Sequence, residues 1–161
     1  MGVCGCGKST VGALLAQRTG GTYLDGDHFH PPENKRKMGS GVPLDDGDRE
    51  GWLTAIRDAV DTHSGSWPLF FGCSALKRKY RDLLRSGELG GRVQFIHLVG
   101  RRELLEERML AREGHYMKVG MLESQFADLE PLGEGEVGFD VDVSERPAEI
   151  ADRVLAQITA E

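Results

Sequence analysis

The chain has 161 residues, of which 39% are hydrophobic and 29% charged, a composition typical of one globular domain. Its net charge of −6 argues against a protein that binds nucleic acid through the phosphate backbone. No apolar run approaches the ~20 residues that cross a bilayer and no signal segment opens the chain, so we expect a cytoplasmic protein without a membrane partner. Cys4, Cys6 and Cys73 are too few for a disulfide framework and are expected to be reduced.

Apolar residues alternate between helical and strand spacing along the chain, which predicts an α/β fold. Helices are predicted over residues 8–17, from Pro31-Pro32, along Trp52–Val60, and in ALKRKYRDLLRSG, RRELLEERMLARE and RPAEIADRVLAQITA. Strands are predicted in Thr22–Leu24, WPLFFGCS, RVQFIHLVG and VGFDVDVS, and the continuous apolar run in the second favours burial on both faces. Without repeats or a dividing linker, the chain is expected to form one domain, residues 1–161.

The first ten residues contain a glycine-rich phosphate loop. Residues 2–9, GVCGCGKS, fit the motif G-x-x-x-x-G-K-[ST] at every fixed position. Glycines let successive backbone N–H groups turn inward around phosphate oxygens, and the helix that follows directs its positive end at the same group. The motif predicts ATP binding, with Lys8 on the β- and γ-phosphates and the Ser9 hydroxyl on Mg²⁺. The predicted nucleotide-binding residues are Gly2, Val3, Cys4, Gly5, Cys6, Gly7, Lys8, Ser9 and Thr10.

Four further blocks follow the loop in order: LDGDHFHPPENKRKM, GVPLDDGDREGWL, CSALKRKYRDLLR, and REGHYM with LESQFADLE. Together with the loop they closely resemble the gluconate kinases, small P-loop kinases related to shikimate kinase, from Met1 to the last helix. The resemblance implies a P-loop NTPase three-layer sandwich in which helices flank a parallel sheet. It also implies ATP-dependent phosphorylation of D-gluconate to 6-phospho-D-gluconate, with ATP and Mg²⁺ as cofactors. A homodimer is one assembly state that the resemblance implies, and the sequence leaves the oligomeric state open.

Two aspartates follow the first predicted strand. Asp25 and Asp27 are two residues apart, so their side chains share a face of an extended chain. A kinase that acts on an alcohol needs a carboxylate to orient the hydroxyl group and accept its proton. By the resemblance, Asp25 helps to hold the Mg²⁺ ion and its waters, and Asp27 contacts the acceptor hydroxyl. A turn-forming Asp-Gly-Asp without chemistry is the alternative interpretation.

Gluconate carries a carboxylate and five hydroxyls, so its pocket should contain cations and hydrogen-bonding groups. Lys77 and Arg81 are four apart and are predicted to share one face of a helix that begins after Cys73-Ser74, whose N-terminus also favours an anion. The matching blocks add three further substrate-binding candidates, His30, Arg49 and His115. For each cation a solvated surface position is the alternative, and for each histidine a packed, satisfied ring.

Phosphoryl transfer also requires that water is excluded and that the charge of the γ-phosphate is neutralised. The glycines and polar residues of GHYMKVGMLESQFADLE favour a mobile flap over packed core, and residues 112–124 are predicted to form a lid. Arg108 and Arg112 lie one helical turn apart at its base. Arg112 is the preferred catalytic arginine and Arg108 a nucleotide contact, with a helix of exposed, structural arginines as the alternative.

The chain departs from this family at its start, because only Met1 precedes the phosphate loop. In gluconate kinases the loop follows a strand at the centre of the parallel sheet, and its absence should leave two neighbouring strands without a central partner. We expect that the chain was started at an internal Met and that the true start lies upstream. Two alternatives to gluconate phosphorylation stay open: a catalytically dead ATP-binding fragment, and a kinase for another small hydroxy acid, shikimate included.

Overall fold

The computed structural model describes residues 1–111 and 120–158, where strands and helices alternate as the apolar pattern predicts. The strands are β1 (Thr22–Asp25), β2 (Leu69–Gly72), β3 (Phe95–Val99) and β4 (Gly138–Asp142). The helices are α1 (Lys8–Thr19), α2 (Pro32–Gly39), α3 (Asp46–Asp61), α4 (Arg78–Leu84), α5 (Arg102–Leu110), α6 (Gly120–Asp128) and α7 (Pro147–Ile158). Two 3₁₀ turns are formed by Gly26–Phe29 and Gly90–Arg92. The predicted site residues Arg112 and His115 lie outside the described residues.

The strands form two parallel pairs. β1 pairs with β2 in the register Thr22–Leu69 to Asp25–Gly72, and β3 pairs with β4 in the register Phe95–Gly138 to Val99–Asp142. Met1 and Gly2 lie between the two pairs. The Met1 carbonyl accepts a hydrogen bond from the Leu98 N–H (2.9 Å), and the Gly2 N–H donates to the Ser74 carbonyl (3.1 Å). These bonds connect the start of the phosphate loop to β3 and to the end of β2.

A cavity of about 100 Å³ separates β2 from β3, with Phe70, Phe71, Phe95 and Leu98 among the residues of its wall. In the part of the chain that the structure describes, no strand pairs with both β2 and β3, so these two strands lack a central partner as expected. β2 is half-buried along its whole length, and the prediction of burial on both faces is therefore wrong. The physical reason is this cavity beside the strand, which leaves its apolar residues partly exposed.

The helices pack on the strands and on each other around one large apolar core. α1 contacts β1, β2 and α7, while α7 also contacts β4, and α3 packs against α4. Residues from most of these elements are fully buried in the core, among them Val3, Leu15, Trp52, Leu76, Leu105, Val141 and Ile150. Within the described ranges, no helix has the length and apolar character that would let it cross a membrane. The three cysteines are buried and free of disulfides, as expected.

α4 is shorter than its sequence predicts, because residues 75–77 do not join it. Lys77 is extended (φ −102°, ψ 149°) and immediately precedes the helix, which begins at Arg78. The carbonyls of Ser74 and Leu76 accept hydrogen bonds from the Gly2 and Glu130 N–H groups, so tertiary contacts replace helical ones. The predicted helix N-terminus after Cys73-Ser74 is therefore wrong, and with it the helical face that Lys77 and Arg81 were expected to share.

The second half of the predicted lid is a packed helix. Residues 120–124 form the start of α6, and Met121 and Leu122 are both 1% exposed. Met121 lies in a small apolar cluster with Met38 and Leu44, which belong to α2 and the loop that follows it. The described part of the predicted lid is therefore a helix with two apolar side chains packed against another element, and its movement as a lid stays a prediction. Residues 112–119 of the predicted lid lie outside the described residues.

Candidate active site

One cavity of about 390 Å³ brings the phosphate loop together with acidic and basic residues from distant parts of the chain. One wall is formed by the loop and the start of α1, residues 4–11. The remaining wall residues are Asp27, His30, Met38, Leu44, Arg49, Trp52, Ser74, Arg108, Gln125, Pro147 and Ile150. The fold therefore assembles the predicted nucleotide site and part of the predicted acceptor site around one continuous space.

The phosphate loop has the backbone conformation that its glycines predict. Gly5 (φ 78°) and Gly7 (φ 94°) lie in the left-handed region, which a residue with a Cβ atom rarely adopts. The turn at Gly7 leads directly into α1, so the N-terminus of a twelve-residue helix and the loop amides face the same cavity. Backbone donors and a helix terminus in this arrangement are suited to bind a phosphate chain.

Lys8 is held against the loop that it follows. Its ammonium group donates to the Gly2 carbonyl (2.9 Å) and the Val3 carbonyl (3.0 Å) and lies 3.8 Å from the Cys6 sulfur. Gly2 and Val3 were predicted to contact the nucleotide, but neither belongs to the described cavity wall, and Val3 is 2% exposed. Both carbonyls accept from Lys8, the Gly2 N–H donates to Ser74, and Val3 anchors the loop in the core.

The two aspartates after β1 have different surroundings. The Ser9 hydroxyl donates to Asp25 Oδ2 (3.1 Å), and the other oxygen of Asp25 accepts from the Asp27 N–H (3.0 Å). Asp27 lies in the 3₁₀ turn and lines the cavity. Among the described residues, no group of three or more His, Cys, Asp or Glu side chains could hold a metal ion. Ser9 and Asp25 nevertheless supply hard oxygen ligands of the kind Mg²⁺ takes in small number, together with substrate phosphates and water.

His30 is a neutral imidazole packed into the cavity wall. Its ring stacks on Trp52 with a centroid distance of 4.0 Å, and Asn34 Nδ2 lies 3.4 Å from His30 Nδ1. Burial and the positive charges of Arg49 and Lys35 lower the pKa of His30 to about 4. Trp52 is held in turn by a hydrogen bond from its indole N–H to the Gly26 carbonyl (2.7 Å). His30 can therefore offer hydrogen bonds to a ligand at neutral pH without carrying a charge.

Arg49 is a buried cation at the cavity wall. It is 3% exposed, its Nε donates to the Leu44 carbonyl (3.4 Å), and its guanidinium lies 5.5 Å from the centre of the Tyr80 ring. The nearest carboxylate, that of Asp128, is 3.8 Å from Arg49 Nη2. Lys77 lies outside the described cavity wall and contacts Asp46 (3.2 Å) and the same Asp128 (3.3 Å). The structure thus connects these two predicted cations through one shared aspartate.

Arg81 also lies outside the described cavity wall, and its guanidinium is engaged in the core. It forms a two-point ion pair with Glu136, in which Nη2 lies 2.9 Å from Oε2. Its Nη1 donates to the carbonyls of Ala75, Leu76 and Glu130 at 3.0–3.1 Å. These contacts support a structural role, because Arg81 connects β2's following loop to the segment before β4. The predicted contact with substrate has no support in this arrangement.

Arg108, which was predicted to contact the nucleotide, lines the cavity. It extends from α5, and its Nη2 donates to the Val143 carbonyl (2.7 Å). Sequence reasoning missed Gln125, a wall residue that is 4% exposed and whose side-chain oxygen accepts from the Cys4 N–H (2.7 Å). The sequence contained one indication of its role, because Gln125 is a polar residue on the helical face that the apolar residues Met121 and Leu122 define in α6.

A phosphate loop and a carboxylate that face one cavity within a parallel α/β fold define the class of small P-loop kinases. Comparisons with known proteins agree with this class and identify a particular family within it. The family model "Shikimate kinase" matches residues 4–159. A rat protein named "Probable gluconokinase" is 42% identical, and the match covers 96% of this chain and 93% of the rat protein.

Two further matches extend the comparison to bacteria. The "Thermoresistant gluconokinase" of Escherichia coli K12 is 42% identical, and the match covers 92% of this chain and 85% of that protein. The crystal structure of a gluconokinase from Sinorhizobium meliloti 1021 is 44% identical, with a TM-score of 0.87 over 99% of this chain and 89% of that chain. The chain belongs to the gluconokinase family, within the kinases that the shikimate kinase model describes.

Proposed function

We propose that this protein transfers the γ-phosphoryl group of ATP to the terminal hydroxyl of D-gluconate, giving 6-phospho-D-gluconate. The observation that carries the proposal is the single cavity in which the phosphate loop faces Asp27, His30 and Arg49. A donor site and an acceptor site that share one space allow direct, in-line transfer between two bound substrates. Relatives of nearly equal length that are named gluconokinase support gluconate as the acceptor.

On the donor side, the loop amides and Lys8 bind and neutralise the phosphates. The Lys8 ammonium donates to two loop carbonyls, which hold its charge beside the loop. Arg108 faces the same cavity and can add a second positive charge near the phosphates. Such fixed positive groups stabilise the charge of the transferring phosphoryl group in a space with little water. Arg112, the preferred catalytic arginine, remains a prediction from the sequence.

Ser9 and Asp25 are the residues that would hold Mg²⁺, since their oxygen atoms lie 3.1 Å apart beside the loop. When bound, Mg²⁺ supplies charge neutralisation between the phosphate oxygens of the nucleotide. Asp25 has a second task in this chain. Its other oxygen accepts from the Asp27 N–H, and this bond fixes the turn that carries Asp27. Replacement of Asp25 should therefore disturb both the metal site and the position of Asp27.

On the acceptor side, Asp27 orients the attacking hydroxyl and accepts its proton as the bond to phosphorus forms. Arg49 provides a buried positive charge for the gluconate carboxylate or the hydroxyl beside it, because its only described carboxylate contact is 3.8 Å away. Neutral His30, stacked on Trp52, provides hydrogen bonds to hydroxyl groups. Lys77 can act through Asp128, which it shares with Arg49. A role for His115 in substrate binding stays a prediction.

The direct test is turnover by the purified chain with a panel of acids, including D-gluconate, other sugar acids and shikimate, with coupled detection of ADP. We expect D-gluconate to give the highest kcat/KM. A higher value with shikimate would establish the alternative acceptor. ATP binding, measured as protection against thermal unfolding, without ADP formation from any acid would establish the ATP-binding fragment instead.

Three broader predictions accompany this function. A single domain, a cytoplasmic location and a homodimer all remain predictions from the sequence and its family resemblance. Size-exclusion chromatography with light scattering of the purified chain would decide between monomer and dimer. The negative net charge of −6 keeps nucleic acid an unsuitable partner, because its backbone would be repelled.

A further inference from the structure

α6 presents one polar side chain on the face that it buries. Its buried residues are Met121, Leu122 and Gln125, which are neighbours on a helix because of their spacing. Met121 and Leu122 are apolar and pack into the interior, whereas Gln125 is 4% exposed and lines the large cavity. Burial of an amide is unfavourable unless its hydrogen-bonding groups find partners. The position of Gln125 therefore depends on specific polar contacts that the rest of this face does not need.

The Gln125 side chain contacts the phosphate loop itself. The backbone N–H of Cys4, the third residue of the loop motif, donates to Gln125 Oε1 at 2.7 Å in a buried contact. The two residues are 121 positions apart in the sequence, so this bond ties the loop to an element from the far end of the chain. Because a backbone N–H can only donate, the oxygen of the amide must face Cys4.

The same helix also reaches the acceptor half of the cavity. Asp128, three residues after Gln125, lies 3.8 Å from Arg49 Nη2 and 3.3 Å from Lys77 Nζ. Residues three apart lie on the same side of a helix, so one side of α6 contacts both the phosphate loop and the acceptor-side cations. α6 thus makes polar side-chain contacts with both halves of the site.

We propose that Gln125 is a positioning residue that holds the Cys4 amide of the phosphate loop in its nucleotide-binding conformation. It acts through the loop, and α6 in this way aligns the nucleotide with the acceptor-side cations that Asp128 contacts. The inference deepens the proposed kinase function and rests on it for the identity of the acceptor. The inference itself states that nucleotide binding requires Gln125, and nucleotide binding can be measured without any acceptor.

The first experiment uses Gln125→Met, which keeps the length of the side chain and removes the acceptor of the Cys4 N–H. Calorimetry with Mg·ATP and no acceptor should show an affinity loss of roughly 10–100-fold, the range expected when a buried hydrogen bond is removed. In steady-state assays KM for ATP should rise and kcat should fall, while KM for gluconate stays unchanged. Ser124→Ala is the matched control, because Ser124 lies beside Gln125 in α6 and bonds only the Met121 carbonyl of its own helix in the described contacts.

The second variant, Gln125→Glu, retains an oxygen acceptor for Cys4 and adds a negative charge beside the phosphate loop. Its melting temperature without nucleotide should fall, because burial of a carboxylate costs more free energy than burial of an amide. Its affinity for Mg·ATP should fall, and added salt should restore part of the loss, because the repulsion is electrostatic. This salt dependence would place the side chain of residue 125 beside the bound phosphates.

The outcomes separate this inference from the proposed function. Mg·ATP affinity that is unchanged in Gln125→Met overturns the inference, as does a lower melting temperature with normal affinity. If Gln125→Met fails to fold, the Glu variant decides, and normal, salt-independent affinity there overturns the inference as well. Weaker nucleotide binding in both variants supports it even if the wild type does not phosphorylate gluconate, a result that would reject the proposed function alone.

Discussion

The two halves of the cavity are built in different ways. The nucleotide half is built mainly from one continuous segment, residues 4–11, in which loop amides and a helix N-terminus face the cavity. The acceptor half draws single side chains from separate elements: Asp27 from the 3₁₀ turn, His30 from the residue after it, and Arg49 from α3. In the proposed function, backbone groups bind the nucleotide in the first half, whereas side chains bind the acceptor in the second.

This difference explains how the two halves should respond to change. The loop takes its shape mainly from its own glycines and needs few distant contacts, such as the bond from Cys4 to Gln125, but a site assembled from distant side chains depends on the packing that holds each of them. Arg49 illustrates the dependence, because its guanidinium is positioned by Leu44, Tyr80 and Asp128. Substitutions in the acceptor half should therefore separate into those that alter chemistry, binding and stability.

The largest effect is expected for Asp27→Asn. This change should impair the acceptor half of the cavity and leave the nucleotide half intact. Loss of the proton acceptor should reduce kcat by roughly 10²–10⁴-fold, the usual contribution of general base catalysis. The affinity for Mg·ATP should stay near the wild-type value, because the loop amides and Lys8 are unchanged. Steady-state kinetics together with nucleotide calorimetry test this prediction. Undiminished turnover would reject the proposed role of Asp27.

Arg81→Met should reduce stability strongly without altering acceptor binding. The substitution leaves the buried carboxylate of Glu136 without its partner, a change that costs about 3–5 kcal/mol in other proteins. Urea unfolding measures the loss, and KM for gluconate of the folded fraction should match the wild type. Lys79→Met is a suitable control, since Lys79 lies in the same helix and its side chain is 58% exposed. A raised KM for gluconate with normal stability would contradict the structural role and support contact between Arg81 and the acceptor.

Arg49→Met tests a role in acceptor binding, in contrast to the structural role of Arg81. Loss of a charge-assisted hydrogen bond to an anionic acceptor should raise KM for gluconate by roughly 10–100-fold, with a smaller change in kcat. The stability cost should be lower than for Arg81, because Asp128 is partly exposed and retains its contact with Lys77. Steady-state kinetics and urea unfolding of the two arginine variants, compared side by side, measure this contrast. Equal effects on stability and none on KM would contradict it.

The smallest effect concerns the charge of His30. Its pKa is lowered to about 4 in the folded protein, below its ordinary value of 6.5, so the unfolded chain binds the proton first as the pH falls. Stability that is present above pH 6.5 should therefore be lost as the pH falls toward 4, by on the order of 1–2 kcal/mol between pH 7 and pH 5. The measurement is urea unfolding at both pH values, in the wild type and in His30→Gln.

The difference between the two proteins isolates His30 from the other histidines. His30→Gln should lose less stability than the wild type over this range, since glutamine does not titrate. The same neutral state predicts that His30 adds no step to the pH dependence of kcat/KM between pH 6 and 8. An identical loss of stability in both proteins would show that another group titrates.

Local sequence patterns predicted most elements of the fold and the nucleotide half of the site. The end of α1 at Gly20, the strand at Thr22–Asp25 and the helix that begins at Pro32 all follow from short-range signals. The wrong predictions have non-local causes, which are a cavity beside β2 and bonds from residues 75–77 to distant parts of the chain. Residues 75–77 were predicted to begin a helix, but the carbonyls of Ala75 and Leu76 accept hydrogen bonds from Arg81, and that of Leu76 also from Glu130.

The phosphate loop could be located from local sequence, because glycine conformations and the following helix are properties of neighbouring residues. Family resemblance then indicated which acidic and basic residues to consider for the acceptor. Only the tertiary structure separated Arg49, at the cavity wall, from Arg81, in an ion pair with Glu136, and only it brought Gln125 to Cys4. The physical reason is that a charged or amide side chain takes its role from its partners, and here those partners lie far along the chain.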